Sequence, residues 1–373
     1  MCIRDSYSAA IKNYTEIMDK YSTSKYYNPA LKSIADNFNK IGDSTNTIKY
    51  LSLAIEKKIV DPESIEAKRM FSDSYSKIAE EAYGSGDYSN SSLNYILAIN
   101  VLKEIYKNFP NSDEAFISTY KIPQYLYKAA DSYKKIENFN QSIEILKGLI
   151  RDYPESDSAK QSGNLIFNSY FEDAIVLIED LNYREALDEY FVALEYASSS
   201  GNQISSGYYD IRIFSKIPEE TLLEYAVRLS SEGKYTGALI ILSYMLESYP
   251  EMSQTINPYY AICKIAIISK ASYEKLPEIV GPVKIKNPGN FVLSLSNKTE
   301  KEYIFYFSSS GGSVFVLPAK GKLAITLPMG SYEIAAEASD NTPPVYYGQV
   351  NFEENKKYSM SFVVLPAGTG TTK

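Results

Sequence analysis

The chain has 373 residues, 45% of them hydrophobic and 23% charged, which is typical of a soluble, folded protein with more than one domain. It carries 46 acidic and 38 basic residues, and the acidic excess lies entirely before Lys286, so its surface would repel a nucleic-acid backbone. Histidine is absent, which removes the usual general base near neutral pH and the commonest metal ligand. No apolar run approaches the ~20 residues that a membrane-spanning helix needs.

The first six residues, Met1–Ser6, look like the translation of a sequencing-library adapter, and we interpret residues 1–6 as an artefact. A helix is predicted from Tyr7 to about residue 21. The spacing of its apolar residues matches the second half of the hairpin described next. The sequence therefore predicts a fragment that has lost the first helix of this hairpin, together with any export signal. The apolar residues of this helix are Tyr7, Ala10, Tyr14 and Ile17.

The stretch Leu126–Pro154 carries an apolar pattern that predicts a helical hairpin. Eight apolar or small residues follow one another at gaps of 3, 1, 3, 6, 3, 4 and 3. Gaps of 3 and 4 place residues on one face of a helix, and the gap of 6 is a polar turn. Pro123 is expected to start the first helix, and Pro154 to end the second. Five copies of this pattern occur: Leu31, Ile34, Ala35, Phe38, Ser44, Thr47, Leu51 and Ala54; Tyr75, Ile78, Ala79, Ala82, Tyr88, Ser91, Tyr95 and Ala98; Leu126, Ala129, Ala130, Tyr133, Phe139, Ser142, Leu146 and Leu149; Tyr170, Asp173, Ala174, Leu177, Tyr183, Ala186, Tyr190 and Ala193; Leu222, Tyr225, Ala226, Leu229, Tyr235, Ala238, Leu242 and Met245.

This pattern of paired helices resembles the tetratricopeptide repeat (TPR) family. The resemblance covers about residues 7–250, although the copies lie further apart than the usual ~34 residues. It implies an α-solenoid of antiparallel helical hairpins, which we assign to residues 7–280. A strongly apolar helix at residues 258–269 is expected to cap the end of the stack.

In the TPR family, the first helix of each hairpin lines a concave groove that holds a peptide or an extended segment of a partner. When the repeats are matched to one another, the resemblance implies six groove residues. Two alternatives remain open: the aromatic members could pack between neighbouring repeats, and the two charged members could form only a helix-surface pair at i, i+3. The six residues are Tyr83, Tyr127, Asp131, Lys134, Phe171 and Ile178.

A linker is predicted at residues 281–290, after which the apolar period changes from that of a helix to that of a strand. Seven short strands separated by turn signals predict a small antiparallel β-sandwich of unknown family at residues 291–366. Residues 367–373 are predicted to be a disordered tail. The predicted strands are 291–297, 302–307, 313–317, 322–327, 331–338, 346–352 and 357–364.

No catalytic, cofactor-binding or metal-binding pattern is present, so the sequence favours a non-enzymatic scaffold that binds a protein or peptide partner in the groove. The segment Tyr153-Pro-Glu-Ser156 after paired helices is similar to TPR proteins of the bacterial cell envelope, which predicts a periplasmic or outer-envelope location. In an alternative hypothesis, the sandwich binds carbohydrate or peptidoglycan and the repeats are a spacer. Its tyrosines would then stack on sugars: Tyr303, Tyr306, Tyr332, Tyr346 and Tyr347.

Overall fold

The computed structural model describes residues 3–199, 211–308 and 312–362. The chain divides into two compact units, Met1–Tyr208 and Tyr209–Lys373, which we call unit 1 and unit 2. Unit 1 is helical in its described part, and unit 2 contains helices followed by β-sheets, so the predicted order of helical and β structure is confirmed. Residues 3–6 of the supposed artefact belong to the first helix, and the predicted tail lies outside the described residues.

Unit 1 is built from antiparallel helical hairpins. Helix α1 packs on α2, and the pairs α2/α3, α4/α5, α6/α7 and α8/α9 are hairpins, each packed on the next. The helices are α1 (Ile3–Lys20), α2 (Tyr27–Ile41), α3 (Ser44–Glu56), α4 (Ile65–Ser85), α5 (Tyr88–Asn108), α6 (Asp113–Lys135), α7 (Phe139–Asp152), α8 (Asp157–Glu179) and α9 (Tyr183–Ser199).

The eight-position pattern forms the packing face of every hairpin in which it occurs. None of its members is exposed in any of the five copies. Its third position is an alanine each time, and a side chain this small lets two helices cross closely. These alanines are at most 1% exposed: Ala35, Ala79, Ala130, Ala174 and Ala226.

The turn inside each hairpin has the same backbone geometry in all five copies. One residue in each turn has a positive φ, between 60° and 82°, which glycine adopts without steric cost. Glycine occupies this position in three copies, whereas Glu137 and Leu181 occupy it in the other two. The next residue caps the second helix in three copies, where the side chains of Asp43, Asp87 and Asn138 accept a hydrogen bond from a backbone N–H three residues on.

The first helix of the α6/α7 hairpin begins earlier than the sequence suggests. Pro123 does not start a helix but lies within α6, which begins at Asp113, ten residues earlier. The proline removes one backbone hydrogen bond, yet the helix continues through it. Ser112 caps the start of α6, and Pro123 is buried. The extra turns of α6 account for part of the wide spacing between copies of the pattern.

Unit 2 contains three further helices and two β-sheets in its described residues. Its helices are α10 (Glu219–Ser231), α11 (Tyr235–Ser248) and α12 (Ser253–Ile268), with short 3-10 turns at Ile211–Lys216 and Pro250–Met252. Its strands are β1 (Glu274–Lys275), β2 (Ile279–Lys284), β3 (Asn290–Asn297), β4 (Tyr303–Phe307), β5 (Ser313–Leu317), β6 (Lys322–Pro328), β7 (Gly330–Ala338), β8 (Tyr346–Phe352) and β9 (Lys356–Phe362).

The seven predicted strands correspond to β3–β9, but the sheets are mixed rather than purely antiparallel. The strand orders are β1-β8-β7-β4-β5 and β2-β9-β3-β6. Strands β1/β8 and β3/β9 pair in parallel, which is possible because each pair joins segments that no tight turn connects. Part of the predicted linker forms β2, which pairs with β9.

Helix α12, predicted to cap the helical stack, is covered by the five-stranded sheet. Ala261, Ile265 and Ile268 of this helix form an apolar cluster with Tyr306 on β4 and Ala335 on β7. The inward faces of the two sheets form a separate core that is rich in aromatic rings. The five-stranded sheet therefore buries apolar side chains on both faces.

Candidate functional site

The first helices α4, α6 and α8 lie next to one another and are joined by polar side chains. Between α4 and α6, Lys121 pairs with Asp73 at 2.8 Å, and Lys128 pairs with Glu80 at 2.9 Å. These four side chains are partly exposed, so each ion pair contributes little to stability. These pairs join α4 to α6, and we call the surface of α4, α6 and α8 on this side the first-helix face.

Two of the six predicted groove residues contact each other on this face. The hydroxyl of Tyr83 on α4 donates a hydrogen bond to the carboxylate of Asp131 on α6. This hydrogen bond raises the pKa of Tyr83 well above its usual range, and partial burial adds to the effect. The charge of Asp131 is therefore directed to a neighbouring repeat, and not only along its own helix.

The raised pKa of Tyr83 predicts a dependence of stability on alkaline pH. The folded state holds this phenolic proton more tightly than the unfolded chain, in which tyrosine has a pKa of about 10. The stabilising contribution is therefore complete below about pH 10 and is lost as the pH rises further. We expect the urea midpoint to fall less steeply above this pH in Tyr83→Phe than in the wild type. Asp131→Asn should flatten the profile in the same way, and equal slopes in all three proteins would contradict the assignment.

Lys134 and Ile178 are too buried to form an open binding surface. Lys134 is 9% exposed, and its ammonium lies 2.5 Å from a carboxylate oxygen of Glu172 on α8. Ile178 is 4% exposed. Lys134 therefore joins α6 to α8, and the i, i+3 pair considered from the sequence is replaced by a contact between hairpins.

Tyr127 and Phe171 are half-buried. This burial lies between the two roles considered from the sequence, an open groove residue and a residue packed between neighbouring repeats. Tyr127 packs against the apolar cluster between α6, α7 and α8, and burial raises the pKa of its phenol. The ring of Phe171 lies 6.1 Å from that of Phe167 and 6.2 Å from that of Tyr190. Each ring thus packs between helices on one side and keeps part of its surface accessible.

The tyrosines considered for sugar stacking lie mostly inside the sandwich. Tyr303 and Tyr332 are 4% exposed and Tyr306 is fully buried, so none of the three offers a ring face to a ligand. Tyr346 packs against the same core, and burial raises its pKa to about 12. Tyr347 is half-buried, and its hydroxyl donates a hydrogen bond of 2.7 Å to Glu333.

Within residues 3–199, 211–308 and 312–362, no cluster of His, Cys, Asp and Glu is arranged to hold a metal ion. The helices in these ranges are all too short or too polar to cross a membrane. Cys263 is buried, and burial raises the pKa of its thiol.

Sequence reasoning missed the partners that join one repeat to the next. Glu172 and the ion pairs between α4 and α6 are not part of the eight-position pattern, because that pattern describes only apolar packing. A signal was nevertheless present, since Asp73/Lys121 and Glu80/Lys128 share a separation of 48 residues with opposite charges.

Comparison with known proteins agrees with the repeat at the centre of unit 1. Residues 124–156 match the family model of the tetratricopeptide repeat. The solved structures with similarity include MamA (16% identity, covering 54% of this chain and 97% of that one, TM-score 0.22) and BtubC (BKLC) from P. vanneervenii (14% identity, covering 76% and 96%, TM-score 0.25). Both TM-scores are low, so neither likeness bears on function. None of the curated proteins compared with the chain matches it.

Proposed function

We propose that this tetratricopeptide repeat protein, whose family match lies at residues 124–156, is a non-enzymatic scaffold that binds an extended segment of a partner protein. Proteins built from such hairpins interact with other proteins through stacked helices that form an extended surface. The proposal places the partner on the first-helix face of unit 1, across α4, α6 and α8.

The observation that carries this proposal is the continuity of the first-helix face. Three successive helices are held side by side by polar contacts, so a segment crossing them would meet several repeats in one extended conformation. Tyr83, Tyr127, Asp131 and Phe171 are partly exposed on these helices and are the proposed contacts. Lys134 and Ile178 would instead hold the neighbouring helices in position. Ordered, half-buried rings lose little entropy on binding, which suits a hot spot.

We also propose a location in the bacterial cell envelope. The support is the similarity of Tyr153-Pro-Glu-Ser156 to envelope proteins of this repeat class, and membrane and periplasmic fractionation of the full-length gene product tests it. Binding of cell-wall glycan by the sandwich is less well supported, since three of the five candidate tyrosines are buried. Co-sedimentation of the full chain with peptidoglycan is expected to be negative, and retention in the pellet would favour the glycan alternative.

Selection of short random peptides displayed on phage against the full chain tests the first-helix face. We expect a class of enriched peptides to bind Tyr127→Ala about tenfold more weakly than the wild type, the loss typical of a hot-spot residue. Tyr106→Ala is the matched control, because Tyr106 lies on the second helix α5 of the α4/α5 hairpin and is 53% exposed. Far-ultraviolet circular dichroism checks that both variants are folded.

Two outcomes would reject the proposed binding face. In one, no enriched peptide depends on Tyr127. In the other, every enriched peptide loses affinity equally in Tyr106→Ala, which would place the interaction on another surface of unit 1.

A further inference from the structure

A second open surface in unit 1 lies between residues 119–124 of α6 and the start of α8, and it shares no residue with the six predicted groove positions. It is a pocket of about 470 Å³, within the usual range of ligand sites. We call it the end pocket. Its lining includes Tyr120 and Pro123 on α6, and Tyr153, Pro154, Glu155 and Asp157 before and in the first turn of α8.

The end pocket is open because α8 begins beside the middle of α6. The start of α8 lies level with residues 119–124 of α6. The first six residues of α6, about 9 Å of helix, therefore extend past the start of α8. This projecting part carries Phe116 (64% exposed) and Ile117 (46%), and Tyr120 (60%) follows them at the edge of the pocket. The rings of Phe116 and Tyr120 are 5.1 Å apart in an edge-to-face contact. An apolar patch that continues into a pocket marks an interaction site more often than it marks ordinary surface.

The rigid parts of the end pocket suit an extended chain. Pro123 and Pro154 are fixed rings, and Tyr153 is half-buried in the cluster between α6, α7 and α8, where burial raises its pKa. Such a surface needs little ordering before it binds, which lowers the entropic cost of association. Aromatic grooves of this kind accept proline-containing segments, which are already extended in the free state.

The charges around the end pocket favour a basic partner. Its lining includes the exposed carboxylates of Glu155 and Asp157 and no basic residue. The positive end of α8 is already offset by Asp157 in its first turn and by the Ser156 side chain, which accepts the hydrogen bond of Ala159 N–H. The flanking basic residues Lys121 and Arg151 are each paired with an aspartate at 2.8 Å. Lys160 lies one turn further along α8.

We propose that the end pocket binds an extended segment of a partner protein that inserts a proline or another apolar side chain and carries Lys or Arg beside it. The apolar residue packs on the exposed rings of Tyr120 and Pro154, and the basic group lies near Glu155 and Asp157. Binding at this site and binding on the first-helix face are separate, so either can fail alone.

The same selection of random peptides tests this proposal. The enriched peptides are now grouped by how strongly their binding depends on a second set of variants. We expect one enriched class to combine proline or apolar residues with Lys or Arg, and to bind Tyr120→Ala about tenfold more weakly than the wild type. Glu155→Lys should also weaken this class, and its affinity in the wild type should fall as salt rises. Tyr26→Ala and Glu144→Lys are matched controls elsewhere in unit 1: Tyr26, just before α2, is 59% exposed, and Glu144 on α7 carries an exposed charge.

Peptides of this class should bind Tyr127→Ala with unchanged affinity, which separates the end pocket from the first-helix face. The proposal is overturned if the selection enriches no such class, or if the enriched peptides are acidic. It is also overturned if Tyr120→Ala and Glu155→Lys bind as well as their controls. A dimer of the full chain in sedimentation velocity that Tyr120→Ala dissociates would identify a second copy as the occupant, and would equally overturn it.

Discussion

Replacing Lys264 with methionine is expected to destabilise unit 2 by about 3–5 kcal/mol, because the change leaves a buried carboxylate without its cation. The ammonium of Lys264 on α12 lies 2.7 Å from Glu337 on β7, and the hydroxyl of Tyr306 on β4 donates a 2.7 Å hydrogen bond to the same oxygen. Tyr306 is fully buried, and the side chain of Glu337 is 10% exposed. Burial, reinforced by the carboxylate, raises the pKa of Tyr306 far above its usual range, so this phenol stays a donor.

Hydrogen exchange, followed by mass spectrometry on peptides from α12 and β7, measures the loss of stability of unit 2 in the full chain. We expect both segments to exchange faster together in Lys264→Met, since the charge network joins the helix to the five-stranded sheet. Lys320→Met is the control, because its pair with Glu300 is largely exposed and contributes at most ~1 kcal/mol.

A double variant shows whether Lys264→Met destabilises unit 2 by leaving a charge unpaired or only by removing packing contacts. Lys264→Met combined with Glu337→Gln should be more stable than Lys264→Met alone, because it leaves no buried charge, and Tyr306 can still donate to the amide oxygen. If the double variant is less stable than the single one, or if Lys264→Met behaves like the Lys320 control, the buried network does not hold α12 on the sheet.

Replacing Leu146 with alanine is expected to destabilise unit 1 by about 2–5 kcal/mol. Leu146 on α7 is fully buried in the cluster that joins the α6/α7 hairpin to α8. The substitution removes apolar contacts and leaves a cavity that the flanking helices fill only partly. Because each repeat is stabilised by its neighbours, the loss should spread beyond this hairpin.

Urea unfolding followed by far-ultraviolet circular dichroism measures this change, since α1–α9 supply most of the helical signal. Leu93→Ala is the matched control: Leu93 on α5 is 56% exposed, and its removal should change the free energy of unfolding by less than about 0.5 kcal/mol. A loss of similar size in both variants would mean that the eight-position pattern does not mark the packing face.

The surfaces available to a partner follow from the lengths and offsets of the helices. Long first helices place their later turns against the next repeat, where Tyr83, Asp131, Lys134 and Glu172 form contacts between hairpins. The early turns of α6 extend past the start of α8 and keep Phe116 exposed, and Tyr120 is exposed at the edge of the end pocket. One helix therefore contributes to both proposed binding surfaces of unit 1.

The sequence by itself determined the local structure of this protein. Helix and strand periods depend on residues a few positions apart. The spacing of large and small residues therefore predicted the hairpins and the face on which the third-position alanines are buried. The same reasoning predicted every end of strands β3–β9 to within two residues.

Only the tertiary structure decided which distant segments meet. The parallel pairing of β3 with β9, the incorporation of β2 into a sheet, and the covering of α12 by β4 and β7 all join residues far apart in the chain. The contacts of Lys134 with Glu172 and of Tyr83 with Asp131 likewise depend on the offset between successive hairpins. A periodic pattern specifies which face of a helix is buried but not the axial offset of its neighbour, and that offset set both the polar contacts and the end pocket.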